Sequence, residues 1–198
     1  MGGSVVAEPT IKKASRGTRG RLNQPEGMKV LITEQKLRKR IGELGREITR
    51  DYQGNPLVLV GILKGSFIFM ADLIRHIDLP LTCDFLRVAS YDSGTESTGA
   101  VRFEFDVTQP LKGKHVLLIE DIVDTGLTIN YLIANLKTRK PASLRVCSLL
   151  HKPARTRVAA HIHYLGFKIP DEFVIGYGLD YAGQYRNLPF IGVLPPTR

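Results

Sequence analysis

Three carboxylates lie within five residues of one another near the middle of the chain, at Glu120, Asp121 and Asp124. Because like charges in so short a segment repel one another, a metal ion or a cationic substrate is needed to balance them. A segment of hydroxyl residues and glycine follows at 125–128, where a helix is predicted to start, and amides and hydroxyls at a helix start bind phosphate. The pattern predicts a site for a sugar phosphate, and a solvated acidic loop that caps a helix is the alternative.

The hydrophobic-then-acidic run at 117–121 also resembles the Walker B strand of P-loop proteins. Such proteins need a partner loop of the form G-x-x-x-x-G-K-[ST]. The only Gly-Lys pair in the chain is Gly113-Lys114, and His115 follows it. No G-x-G-x-x-G occurs either, so the sequence excludes both a P-loop and a dinucleotide-binding fingerprint.

Helical and strand-like patterns alternate along the chain, which is typical of an α/β fold. A helix is predicted between the N-cap Thr33 and Gly54, because apolar residues recur there at every third or fourth position. Further helices are predicted at 66–77 and 125–137, and strands at 57–63, 81–88, 101–105, 115–120, 144–150, 161–167 and 173–178. The apolar runs indicate strands that are buried on both faces, and therefore a mostly parallel sheet flanked by helices. Since ligands bind beyond the carboxyl ends of such strands, the residues after each run are the candidate site residues.

Length and composition restrict the class of protein. The 198 residues fit one domain, and 43% hydrophobic with 24% charged residues indicates a packed core rather than disorder. The formal charge of +9 favours an anionic partner, either nucleic acid, anionic lipid or a phosphate-rich small molecule. Residues 1–27 hold five basic and two acidic residues and no apolar period, so we expect a flexible basic arm before a single domain at 28–198.

The sequence also bears on compartment. The longest apolar run, Leu57–Leu63, is far shorter than the roughly 18–20 residues of a membrane helix, and the N-terminus lacks a signal-peptide pattern. Cys83 and Cys147 stand far apart in strand-like runs, which predicts two buried thiols in a reducing compartment. We therefore expect a cytoplasmic protein with no membrane partner.

The run Val116–Thr128, VLLIEDIVDTGLT, resembles the phosphoribosyl pyrophosphate motif of the type I phosphoribosyltransferases. Four further runs resemble the hypoxanthine-guanine (6-oxopurine) branch of that family: LKGSFIFMADL at 63–73, DFLRVASY at 84–91, SLLHKPART at 148–156 and PDEFVIGYGLDYAGQYRNLP at 170–189. The resemblance extends over roughly residues 28–194. It implies the type I phosphoribosyltransferase fold, with a core at about 30–169 and a small hood built from 170–198 and the ordered end of the N-terminal region.

The resemblance also implies an activity. Members of this branch transfer the 5-phosphoribosyl group from phosphoribosyl pyrophosphate to N9 of hypoxanthine or guanine, and in some cases xanthine. They use Mg²⁺, release pyrophosphate and form a nucleoside 5′-monophosphate in purine salvage. A homodimer or homotetramer is expected by the same resemblance. The alternative is a regulator of the same fold that binds RNA. The +9 charge favours that alternative, but a regulator does not need the base-site residues named below, so nucleic acid is not the expected partner.

Matching positions imply the roles of individual residues. Asp124 corresponds to a carboxylate near N7 of the purine and is the candidate general base. The positions that correspond to phosphoribosyl pyrophosphate binding are Lys64, Gly65, Ser90, Tyr91, Glu120, Asp121, Asp124, Thr125, Gly126, Leu127, Thr128 and Arg186. The positions that correspond to base binding are Lys152, Phe173, Val174 and Asp180. Those that correspond to metal binding are Glu120 and Asp121, with Asp180 at a second magnesium site.

Three of these positions carry more specific expectations. Lys152 corresponds to the lysine that donates to the exocyclic O6, which suits an oxopurine and leaves the amino group of adenine unpaired. Phe173 corresponds to the aromatic ring that stacks on the purine, and a core residue of a strand is the alternative. The resemblance further implies a cis peptide at Lys64-Gly65, and residues 90–99 correspond to a loop that closes over the site.

Overall fold

The structure, a computed structural model, describes residues 24–25, 27–90 and 101–194. The helices of this part of the chain are α1 (Glu34–Asp51), α2 (Phe67–Ile74) and α3 (Leu127–Lys137), with a short 3₁₀ helix at Pro153–Arg155. Its strands are β1 (Lys29–Ile32), β2 (Leu57–Leu63), β3 (Leu81–Ser90), β4 (Val101–Phe105), β5 (His115–Val123), β6 (Ser143–His151), β7 (Tyr164–Lys168), β8 (Val174–Ile175) and β9 (Ile191–Val193). Within these ranges, no helix combines the length and the apolar character that crossing a membrane requires.

The larger of two sheets has six strands in the order β4-β3-β2-β5-β6-β7. Neighbouring strands are parallel except for β4, which is antiparallel to β3. Leu57 and Leu59 pack in the core cluster that contains α1 and α2, whereas Val58 and Val60 pack in the cluster that contains α3. Both faces of the sheet are therefore covered, which explains the continuous apolar run of β2 and confirms the predicted helix-flanked, mostly parallel sheet.

Helix α1 forms as its sequence predicts. Thr33 is the N-cap, and its side chain accepts a hydrogen bond from the amide of Lys36 at 3.3 Å. The periodic apolar residues are all buried against the sheet and against α2, namely Leu37, Ile41, Leu44 and Ile48. The helix ends at Asp51, three residues before Gly54.

The smaller sheet has three antiparallel strands in the order β1-β9-β8. We call this sheet, together with the connecting segment 176–190, the hood. The hood joins the ordered end of the N-terminal region to the C-terminal segment, as the resemblance implied. The sequence patterns did not predict β1 or β9, because four-residue and three-residue strands are too short to show a period.

Some predicted boundaries were wrong for local reasons. Strand β8 ends at Ile175 rather than at 178, because Tyr177 has a positive φ of 50° between two glycines in the same region. Strand β7 begins at Tyr164 rather than at 161, since the side chain of His163 accepts the hydrogen bond of the amide of Val146 at 3.1 Å. Cys147 is buried as expected, but Cys83 is exposed, because β4 pairs with β3 only at the opposite end, from 87 to 90.

Candidate active site at the carboxyl edge of the sheet

Two adjacent acids lie towards the carboxyl end of β5. Glu120 is buried, with 8% of its surface exposed, and its Oε1 accepts a hydrogen bond from the amide of Asp121 at 3.2 Å. Burial, and after it the carboxylate of Asp121, hold the pKa of Glu120 well above its usual range. Among the described residues, no Lys, Arg or His forms an ion pair with either acid. A divalent cation fits this pair, because oxygen ligands of that charge are what Mg²⁺ binds.

The loop after β2 reaches this acidic pair at Gly65. A Cβ atom built on Gly65 would lie 1.4 Å from Oδ2 of Asp121, so only glycine permits the approach. Lys64 is exposed beside it. A cis peptide does occur here, but it joins Leu63 to Lys64, so its expected position between Lys64 and Gly65 was wrong by one bond. The structure thus brings together two segments that the sequence separates by more than fifty residues.

The hood closes the other side of the same loop. A Cβ atom on Gly178 would lie 2.1 Å from the carbonyl oxygen of Gly65. Arg186 donates from Nη1 to the carbonyl oxygen of Gly178 at 2.6 Å, and its Nη2 lies 2.7 Å from Oδ1 of Asp180. The second oxygen of Asp180 accepts a hydrogen bond from the amide of Gly183 at 2.7 Å. The hood turn therefore packs directly on the loop that carries Lys64.

The expected metal-binding residues divide into two places. Glu120 and Asp121 are adjacent on β5, whereas Asp180 lies in the hood and is paired with Arg186. Within the described ranges, no group of three or more His, Cys, Asp and Glu side chains is arranged to hold a metal ion. The structure therefore keeps Glu120 and Asp121 together and Asp180 in the hood, and the metal-binding roles of all three stay predictions.

The segment between β5 and α3 has the form of a phosphate cradle. The carbonyl oxygen of Thr125 accepts hydrogen bonds from the amides of Arg157 and Val158 at 3.0 and 3.1 Å, which holds the segment against the loop after β6. Gly126 is the N-cap of α3, and the amide of Leu127 lies 3.4 Å from Oγ1 of Thr125. A cavity of about 80 Å³ lies at this helix start and is lined by Glu120, Ile122, Val123, Asp124, Thr125, Gly126, Thr128 and Ile129. A helix start beside two acids can hold a phosphate group next to a cation.

A buried lysine follows β6, and a series of contacts between oppositely charged side chains connects it to Asp124. The side chain of Lys152 is 9% exposed, and its Nζ lies 3.8 Å from Oδ1 of Asp171. Nη1 of Arg155 lies 3.6 Å from the same oxygen, and its Nε lies 2.8 Å from Oδ1 of Asp124. That contact lacks hydrogen-bond alignment, so among the described residues the buried Oδ1 of Asp124 accepts no hydrogen bond. The sequence predicted Lys152 and Asp124 as site residues but did not single out Arg155 or Asp171, which connect them.

The remaining expected residues lie around this edge or beyond the described ranges. Phe173 is 54% exposed just before β8, with its ring centroid 5.8 Å from that of Tyr181 in an edge-on arrangement, so it is not a core residue. Val174 is buried in β8. Ser90 is the last residue of β3, and its side chain is not described; Tyr91 and the rest of the expected closing loop lie outside the described residues.

Comparisons with known proteins show the family to which this fold belongs. The family described as the phosphoribosyl transferase domain matches residues 30–182, and the chain belongs to this family. A hypoxanthine-guanine phosphoribosyltransferase of Staphylococcus aureus is 52% identical over 167 residues, which are 84% of this chain and 93% of the relative. The crystal structure of a hypoxanthine phosphoribosyltransferase from Staphylococcus aureus superposes with a TM-score of 0.82 at 52% identity, covering 85% of this chain and 91% of that one.

A longer relative also matches. The bifunctional protein TilS/HprT of Listeria innocua is 52% identical over 169 residues. The match covers 85% of this chain but only 26% of the Listeria protein. This chain therefore corresponds to about a quarter of that protein. The fold shared with these relatives is the type I phosphoribosyltransferase fold.

Proposed function

We propose that the protein is a 6-oxopurine phosphoribosyltransferase of purine salvage, which transfers the 5-phosphoribosyl group of phosphoribosyl pyrophosphate to N9 of hypoxanthine or guanine. The observation that carries this proposal is that an acidic pair, a phosphate cradle and a buried lysine stand at one edge of one parallel sheet. A sugar phosphate needs the first two features, and an oxopurine needs the third. Identity of 52% to a relative named as this enzyme, along 93% of that relative, supports the same conclusion.

At the sugar end of the site, the amides and hydroxyls of 125–128 bind the 5′-phosphate. Glu120 and Asp121 hold the ribose hydroxyls. Glu120 and Asp121 would hold Mg²⁺, which when bound would supply the positive charge that lets this acidic pair accept a polyanion. Burial and the carboxylate of Asp121 raise the pKa of Glu120, and a cation beside the pair would favour the ionised form again.

At the leaving-group end, departure of pyrophosphate leaves an oxocarbenium-like sugar ring. The amide of Gly65 and the ammonium of Lys64 bind the pyrophosphate, and the guanidinium of Arg186 adds a further cationic contact to it. Asp124 stands near N7 of the purine and accepts a proton from the base as the new bond to N9 forms. Nε of Arg155 lies 2.8 Å from Oδ1 of Asp124, so this contact holds the carboxylate at the edge of the site.

At the base end, Lys152 donates to O6 and Phe173 stacks on the purine ring, while Val174 and Asp180 contact the base edge through their backbone. The ammonium of Lys152 can donate to a carbonyl oxygen at this position but not to the amino group of adenine, so adenine should be a poor substrate. The 54% exposure of Phe173 supports the stacking role, because about half of the residue's surface is accessible to a ligand. Ser90 and Tyr91 at the start of the expected closing loop complete the proposed site.

The test is a base-by-base assay of the purified protein with phosphoribosyl pyrophosphate and Mg²⁺. Hypoxanthine, guanine, xanthine and adenine are supplied separately, and the nucleotide products are separated by chromatography. We expect inosine and guanosine monophosphates and little adenosine monophosphate. Absence of nucleotide from both hypoxanthine and guanine would overturn the proposal.

Three expectations go with this proposal. We propose a single domain at 28–198 after the arm 1–27, of which residues 1–23 and 26 lie outside the described part of the chain. We also propose that the enzyme acts in the cytoplasm as a homodimer or homotetramer, which ultracentrifugation would distinguish. The RNA-binding alternative rests on the charge of +9, and the described residues add no support for it.

A further inference from the structure

A side-chain contact fastens the hood to the helix that follows the Lys64 loop. The hydroxyl of Tyr177 donates a hydrogen bond to Oδ2 of Asp72, which lies on α2. The ring of Tyr177 is buried, with 6% of the residue exposed. The other oxygen of Asp72 accepts a hydrogen bond from Nη1 of Arg75 at 3.0 Å, on the exposed side of the helix. The contact therefore joins two elements that are 105 residues apart in the chain.

The hood turn needs such an anchor because one of its residues, Tyr177, has a side chain and a positive φ. Gly176, Tyr177 and Gly178 all have positive φ, at 95°, 50° and 101°. Positive φ is costly for a residue with a side chain, and a residue such as Tyr177 keeps it only where the surroundings hold it. The amide of Tyr177 donates to the carbonyl oxygen of Leu188 at 2.8 Å, and its hydroxyl reaches Asp72. Backbone and side chain together therefore fix the conformation of the turn.

The anchored turn touches the parts of the site that we assign to pyrophosphate. Gly178 packs on the carbonyl oxygen of Gly65, and the same residue accepts the hydrogen bond of Arg186. Asp72 lies only seven residues after Gly65 along the chain, on the helix that begins directly after the loop. A shift of the turn relative to α2 would therefore move Arg186 and the Lys64 loop relative to each other.

We propose that Tyr177 and Asp72 are a pair of positioning residues, which hold the hood and the Lys64 loop in the geometry that binds the pyrophosphate group. The inference rests on the proposed function, since it concerns the pyrophosphate end of the same site. Neither residue touches substrate. The pair acts through Gly178, Gly65 and Arg186, so its loss should weaken the binding of phosphoribosyl pyrophosphate and leave the base pocket largely as it is.

The main test is steady-state kinetics of Tyr177→Phe, which removes only the hydroxyl. We expect KM for phosphoribosyl pyrophosphate to rise about ten-fold, the factor that about 1.4 kcal/mol of lost binding represents. KM for hypoxanthine should stay within about two-fold, because a hydroxyl over α2 has no part in the base pocket. A purely structural hydrogen bond would instead lower the thermal midpoint of unfolding and leave both KM values unchanged, and that result would overturn the inference.

Variants of Asp72 separate positioning from packing. Asp72→Asn keeps an acceptor oxygen for the phenol, so we expect it to retain most of the wild-type KM for phosphoribosyl pyrophosphate. Asp72→Ala should match Tyr177→Phe, and the double variant should be no worse than either single one, as for two members of one contact. Arg75→Gln is the matched control, because it removes the exposed partner of Asp72 and should change neither KM. Additive effects in the double variant would contradict the pairing.

The outcome for the wild-type protein distinguishes the two proposals. If the wild type forms no nucleotide from any base, the proposed function fails. If it forms nucleotide and Tyr177→Phe keeps the wild-type KM for phosphoribosyl pyrophosphate, the function stands and the positioning role fails.

Discussion

Replacement of Gly65 by alanine should inactivate the enzyme while leaving it folded. The added Cβ atom would lie 1.4 Å from Oδ2 and 2.5 Å from Cγ of Asp121, where an ordinary contact begins at 3.4 Å. The two groups must therefore separate by about 2 Å. Neither can retreat easily, because Oδ1 of Asp121 accepts the amide of Ile122 at 2.8 Å and the carbonyl of Gly65 already packs on Gly178.

The size of the loss follows from this displacement. Misplacement of a catalytic group by about 1 Å costs on the order of 10²-fold in rate, so a shift of about 2 Å at the acidic pair should lower kcat/KM by at least that factor. A factor of 10² corresponds to about 2.7 kcal/mol of transition-state stabilisation. Steady-state kinetics with hypoxanthine and phosphoribosyl pyrophosphate measure the loss, and circular dichroism with thermal melting shows whether the variant remains folded.

Gly42 offers a matched control on α1. A Cβ atom there would meet its nearest neighbour, Nη1 of Arg46, at an ordinary 3.5 Å. Gly42→Ala should therefore keep full activity and raise the free energy of unfolding by roughly 0.5–1 kcal/mol, since alanine favours a helix interior over glycine. If Gly65→Ala instead retained activity within about three-fold of the wild type, the packing of the loop on Asp121 would not be what forms the site.

The remaining predictions concern the base, the pocket and the pH response. Asp124→Asn should lower kcat by roughly 10²–10⁴-fold while KM for phosphoribosyl pyrophosphate changes little. A fall in kcat together with an equally large rise in this KM would indicate a structural role. Lys152→Ala should lower the ratio of kcat/KM for hypoxanthine to that for adenine by at least about ten-fold, and an unchanged ratio would contradict the pocket assignment. The pKa of His163 is lowered from its ordinary 6.5 by burial and then by the charges of His161 and Arg145. As the pH falls, His163 is therefore protonated in the unfolded chain before it is protonated in the folded protein. The stability that neutral His163 contributes is thus complete above about pH 6.5 and is lost as the pH falls through the lower pKa of the folded state. The thermal midpoint of His163→Gln should therefore fall less than that of the wild type between about pH 7 and pH 5. An equal fall of the midpoint in both proteins would refute this.

The sequence by itself determined the class of fold, and it predicted where the chemistry lies. Val116–Thr128 combines a buried strand, its acids and a helix start within thirteen consecutive residues, so local pattern predicts its structure and its chemistry together. The apolar run Leu57–Leu63 and the helical period after Thr33 are local in the same sense, and the structure confirms both elements. Such elements can be predicted from the sequence because the period of apolar residues that marks a helix or a strand involves residues only a few positions apart.

Only the tertiary structure decided how these segments meet. Three features join residues that are far apart in the chain. They are the approach of Gly65 to Asp121, the charged contacts from Lys152 through Asp171 and Arg155 to Asp124, and the pairing of β1 with β9 in the hood. Each depends on which side chains the packed sheet brings within a few ångströms, and no local period records that. The resemblance implied a cis peptide in the loop after β2, but only the structure shows that it precedes Lys64.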